Sequence, residues 1–169
     1  MKQAIQFGMN KKMAIGGGLS ELEVLAALPT EARLGWWTLE WWWDQPKTPH
    51  VKQFVATYRK KYNKYPSARS WFGYAGLHSL VLGANRAKSI EPMKMARALE
   101  GMVLPPEVAL QPHKVYFRAG DHQLMSSEFP GEIRHDGKYP DLFKVADIVQ
   151  GDKIALSVAE TQCKLDYPV

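Results

Sequence analysis

Cysteine is almost absent from this chain: Cys163 is the single one in 169 residues. A lone thiol excludes an internal disulfide framework and any zinc site built from several cysteines. No run of about 18 apolar residues occurs, so no segment reads as a membrane-spanning helix. The opening MKQAIQFGMNKK lacks the apolar core and small-residue cleavage site of a secretory leader and, as written, carries no export address. His50, His78, His113, His122 and His135 never fall into H-x-x-x-H or H-E-x-x-H spacing, and no metal site is expected. Asp121-His122 and His135-Asp136 set acids beside imidazoles on turns, where sequence neighbours rarely face each other as an acid–base pair must. No catalytic residue and no cofactor follow, and nothing in these residues argues for an enzyme.

What is present is ordinary globular composition, with 46% hydrophobic and 23% charged residues. Lys and Arg number 22 against 17 Asp and Glu, a net charge of +5 that gives weak attraction to polyanions and says little about fold. The spacing predicts a short helix over residues 1–9, then a short strand over 12–15 that runs into a Gly16-Gly17-Gly18 loop. Ser20 with Glu23 reads as a capping box that opens a helix over 20–27. The aromatic run 34–43 reads as a strand, and Thr48-Pro49 as the start of a helix reaching Asn63. Ser67 caps a long, largely buried helix over 68–87, and another over 89–100 stops at Gly101. Beyond the proline-rich LPPEVALQP the character turns to β: 113–118 and 124–129 form a hairpin, and 143–149 pairs with 154–158.

The triple glycine suggests a phosphate loop, but no GKS or GKT follows and the spacing is not G-x-G-x-x-G. Glycines here turn the chain tightly, and a helix start next door can hold an anion or a carboxylate. Trp36, Trp37, Trp41, Trp42 and Trp43 suggest base stacking, with Lys52, Arg59, Lys60, Lys61, Lys64 and Arg69 close downstream. Those basic residues lie on a helix whose other face is apolar, where a charged run usually faces solvent. A tryptophan-rich nucleic-acid-binding module therefore stands only as an alternative, and no nucleic acid partner is expected.

Three stretches together resemble a known family: KQAIQFGMNKKMAIGGG, the helical phrase F-V-x-x-Y-x-x-x-Y-x-x-x-P followed by Y-A-G-L, and F-R-A-G-D-H-Q. They are similar to the C-terminal part of the branched-chain amino acid binding proteins, extracytoplasmic receptors of ABC importers. The resemblance extends over most of residues 2–133. It implies an α/β chain with a partial type I periplasmic-binding fold, in which a parallel sheet carries flanking helices and antiparallel strands follow at the C-terminus. By the same resemblance, residues 1–41 belong to the second lobe, 42–118 cross into helices of the first lobe, and 119–169 return. The first lobe's ligand-gripping strands precede this segment.

The implied partners are a small-molecule ligand in an interlobe cleft and ABC permease subunits, in the periplasm. Exposed edges in a partial fold point to a homo-oligomer. Amino-acid-binding members place an acid in the loop matched by Gly16, Gly17 and Gly18, so here the resemblance favours an aromatic acid, an amide or another small carboxylate over an α-amino acid. Those glycines are expected at the ligand together with Trp36, Trp41, Ala68 and Trp71. A ligand-sensing regulator of the same fold is the second alternative.

Overall fold

The computed structural model describes residues 1–18 and 20–165. Its longest element is α4 (Ala68–Ala87), which is only partly buried: Ala68, Trp71 and Ala75 pack along one side, whereas Leu77, Leu80 and Val81 of the expected apolar face are more than half exposed. The preceding Ser67 leaves the helix in an extended conformation, and its backbone N–H donates to Ser70 Oγ at 3.3 Å. α3 (Val51–Tyr62) and α5 (Pro92–Leu99) flank it, and α5 starts at proline with the Glu91 carboxylate accepting from the Met93 and Lys94 amides at 3.0 Å. α3 begins later than Thr48-Pro49 suggests. The Thr48 hydroxyl donates to Gln45 Oε1 at 3.1 Å instead, and His50 takes the cap position in a left-handed conformation.

The N-terminal segment is broken up. α1 (Lys2–Gln6) is short, because Gly8 turns left-handed at φ 67° and starts a separate 3-10 turn over Met9–Lys11. The predicted strand over 12–15 is displaced, since the glycines themselves form β1 (Gly16–Gly17). β1 lies parallel to β2 (Trp36–Leu39), with Gly16 opposite Trp36 and Gly17 opposite Trp37. A Cβ at position 16 would fall onto the Trp36 carbonyl oxygen, so the approach needs glycine. Gly16→Ala is expected to lose about 1–3 kcal/mol in urea unfolding through forced separation of these strands. Gly18→Ala should be nearly neutral, because its Cβ would meet Thr38 Oγ1 at an ordinary 3.5 Å.

The predicted capping box at Ser20 does not form. The Ser20 amide pairs with the Thr38 carbonyl at 3.1 Å, which holds Ser20 extended and moves the start of α2 (Leu22–Ala27) to the far side of Glu21. β2 also ends before Trp41, Trp42 and Trp43. On its other side it pairs antiparallel with β5 (Phe129–Ile133), which pairs in turn with β6 (Phe143–Val145), giving the order β1-β2-β5-β6. The predicted 113–118/124–129 hairpin is present but short, as β3 (Tyr116–Phe117) and β4 (Leu124–Met125).

No strand forms over 154–158. A 3-10 turn over Gly151–Lys153 and α7 (Val158–Thr161) replace it, while Val149 makes an isolated bridge back to Glu128. α6 (Pro106–Ala109) is an added short helix in the proline-rich connector. Two apolar cores result. Trp41, Val51, Val55, Trp71, Val108 and Leu110 build the helical one, while Leu22, Leu25, Leu39, Trp42, Phe129 and Phe143 build the sheet one.

Candidate functional site: an acidic seam between two cores

The chain passes between the two cores several times, and the passages at residues 39–41 and 124–129 each carry a glutamate. Glu40 lies between Leu39 of the sheet core and Trp41 of the helical core, and is 8% exposed. Glu128 directly precedes Phe129 of the sheet core. A third acid, Glu21, is 7% exposed at the start of α2 and reaches across to α4, where Arg69 Nε lies 2.9 Å from Glu21 Oε1. Oε2 of Glu40 and Oε2 of Glu128 are buried with no hydrogen-bond partner.

Electrostatics follow from this crowding. Burial pushes the Glu128 carboxyl up to about 7, the nearby Glu40 charge adds to the rise, and a hydrogen bond from Thr38 opposes it. Glu21 is raised by burial first and by Glu40 second, while Arg69 pulls it down. The backbone around the acids is cross-linked by Gln111. Its Nε2 donates to the Glu40 carbonyl at 3.0 Å, and its Oε1 accepts from the Ser127 amide at 2.6 Å. Ser127 Oγ lies 3.0 Å from His113 Nδ1. One buried side-chain amide thus ties both passages together.

The residues expected at a ligand separate into two groups. Gly16, Gly17 and Gly18 are exposed at the sheet edge, next to Trp36 with 57% of its surface exposed. Gly18 adjoins Thr38, which links this edge to Glu128. Ala68, Trp41 and Trp71 are at most 1% exposed, inside the helical core. The Trp41 indole N–H donates to the Leu110 carbonyl and that of Trp71 to the Ala109 carbonyl, both at 2.8 Å. These two rings brace a wall from behind and present no surface of their own. With Trp42 buried as well, the cluster offers no continuous exposed stacking array.

The sequence reading missed Glu21, Glu40 and Glu128, and with them the carboxylates that lie beside the glycine edge. Their only local signal is one acid inside the apolar run LEWWW. A larger groove of about 500 Å³ lies elsewhere, lined by Trp43, Val51, Val55, Arg59 and Tyr65, and none of the expected residues touches it.

A family profile described as periplasmic binding protein matches residues 1–138. A periplasmic binding protein from Burkholderia mallei is 24% identical with a TM-score of 0.81, over 97% of this chain and 43% of that one. An amino acid ABC transporter substrate-binding protein from Pseudomonas fluorescens Pf-5 is 21% identical with a TM-score of 0.80, over 97% and 43%. A solute binding protein of an ABC transporter from Rhodopseudomonas palustris BisB5, in complex with 3,4-dihydroxybenzoic acid, is 16% identical with a TM-score of 0.67, over 89% and 40%. Among curated proteins none matches. The chain spans about two fifths of the length of these structures. Among the described residues no helix is long and apolar enough to cross a membrane. With a profile match over most of its residues and a fold shared with these binding proteins, the chain belongs to the periplasmic binding protein family, as part of a type I fold.

Proposed function

We propose that this chain is the C-terminal portion of a solute-binding receptor of an ABC importer, working outside the cytoplasmic membrane and handing its ligand to permease subunits. The observation that supports this most is the seam itself, where two apolar cores meet and leave unpartnered polar atoms buried, as a hinged binder can use. We assign residues 1–41 to the second lobe, 42–118 to the crossover and helices of the first, and 119–169 to the return.

The ligand class is a small carboxylate, amide or amino-acid-like molecule. Gly16, Gly17, Gly18 and Trp36 supply the accessible edge, Ala68 lies beneath the start of α4, and Trp41 and Trp71 hold the wall. Self-association fits the exposed stripe Leu77, Leu80 and Val81 on α4. A thermal melt against branched-chain amino acids, aromatic acids and short amides tests the reading. A ligand at about a hundred times its Kd adds roughly 2.7 kcal/mol, which should raise the midpoint by about 5 to 10 °C. No shift with any compound would contradict it for this chain.

A further inference from the structure

We propose that the groove against α3 is a second binding site, which takes an anionic amphiphile: an acid head on an alkyl tail, as an anionic phospholipid presents it. The groove lies apart from the glycine edge and the acidic seam, and its role does not depend on theirs. The charge of this region is one-sided. Residues 45–90 hold nine of the 22 Lys and Arg and none of the 17 Asp and Glu. Lys52, Arg59, Lys60, Lys61 and Lys64 are exposed on or just beyond α3, and among the described residues none of them makes an ion pair. Such a surface attracts an anionic partner.

The groove sets apolar surface beside that charge. Buried Val51 and Val55 line it together with Trp43, Pro46 and Tyr65. Lys52, Ala56 and Arg59 are exposed on the same lining, four and three residues apart, so two cations stand on one side of α3 roughly 10 Å from each other along its axis. The Arg59 guanidinium lies 4.3 Å from the centre of the Tyr65 ring, which holds it at the groove. Asp44 is the one acid on the lining, and the two cations outnumber it. The volume of about 500 Å³ suits a small ligand. An alkyl tail buries against Val51, Val55 and Trp43 while a phosphate or carboxylate head meets Lys52 and Arg59 on their flexible stems. A polynucleotide offers the same charge without a tail, and the buried Trp41 and Trp42 leave its bases no stacking array.

Two binding measurements on the intact 169-residue chain test the site. Vesicles of equal parts phosphatidylglycerol and phosphatidylcholine are compared with phosphatidylcholine alone by co-sedimentation, and decyl phosphate, inorganic phosphate and an oligothymidylate are titrated by calorimetry. Decyl phosphate should bind, and phosphatidylcholine and inorganic phosphate should not. Binding of the mixed vesicles as well would identify a bilayer lipid as the source, and decyl phosphate alone a free amphiphile; either result supports the site. Lys52→Gln combined with Arg59→Gln should weaken decyl phosphate by about tenfold or more, at roughly fivefold for each cation removed. Lys60→Gln combined with Lys61→Gln, off the groove, should leave it unchanged. Equal losses in the two double variants would reduce the effect to diffuse charge and overturn the site. Inorganic phosphate or oligothymidylate binding as tightly as decyl phosphate would overturn it too, as would no binding of decyl phosphate at all.

Discussion

Trp71→Ala is expected to destabilise the chain by about 4–5 kcal/mol, near the lower end of a typical domain's whole stability of about 5–15 kcal/mol. The ring is fully buried among Ala68, Ala75 and Val108, so truncation removes its transfer energy and leaves a cavity. It also strands the Ala109 carbonyl, which now accepts the indole N–H at 2.8 Å. Trp71→Phe should keep most of the packing and lose mainly the hydrogen bond, for about 1–3 kcal/mol. Urea unfolding followed by circular dichroism separates the two variants. A Trp71→Ala chain within about 1 kcal/mol of wild type that had lost ligand affinity would return this residue to the ligand wall. Trp41→Ala should behave in the same way, since its indole is held by Leu110.

Glu128→Gln is expected to stabilise the chain at alkaline pH and flatten its pH dependence. The folded-state carboxyl is raised from 4.5 to about 7, so the folded chain holds this proton more tightly than the unfolded one. The contribution is therefore fully present below about pH 4.5 and is lost as the pH rises through 7. A shift of that size corresponds to up to about 3 kcal/mol at 1.36 kcal/mol per pH unit, and partial solvent screening brings it nearer 2. At pH 8.5 the glutamine variant should melt about 4 to 8 °C above wild type, and at pH 4 the two should nearly coincide. Equal midpoints at both ends would mean that Glu128 is solvated in solution.

The helical part of the fold was legible because it follows from local rules. α4 starts just after Ser67, whose amide donates to Ser70 Oγ, and runs over the full predicted span, since its apolar positions recur at the helical period. The sheet was harder to read. β1 consists of two glycines that carry no hydrophobic signal, and they form a strand only because Trp36 and Trp37 need a partner without side chains. β5 alternates buried and exposed residues through Phe129, Gly131 and Ile133, yet it abuts β4 so closely that the two read as one return strand. Thr48 and Ser20 were drawn away from their helix starts by Gln45 and by the Thr38 carbonyl, contacts that local propensity does not reveal.

The site was less legible than the fold for the same reason. Family resemblance pointed to Gly16, Gly17, Gly18 and Trp36, which do lie at an accessible sheet edge. It could not reveal that Glu21, Glu40 and Glu128, far apart in sequence, converge beside that edge. That convergence depends on β2 lying between β1 and β5, and on Gln111 bridging the two passages. Trp41 was drawn toward the ligand by type, since an aromatic beside a cleft suits a wall as well as a core, while Ala68 and Trp71 came from the resemblance at the start of the long helix.

The central claim is that the seam between the two cores is where the ligand binds, and backbone hydrogen exchange tests it most directly. Each compound that raises the melting midpoint would be added, and exchange compared with the free chain. The account predicts added protection in residues 16–21, 36–41, 67–70 and 125–129, with little change elsewhere. Protection confined instead to the groove formed by Trp43, Arg59 and Tyr65 against α3 would contradict it.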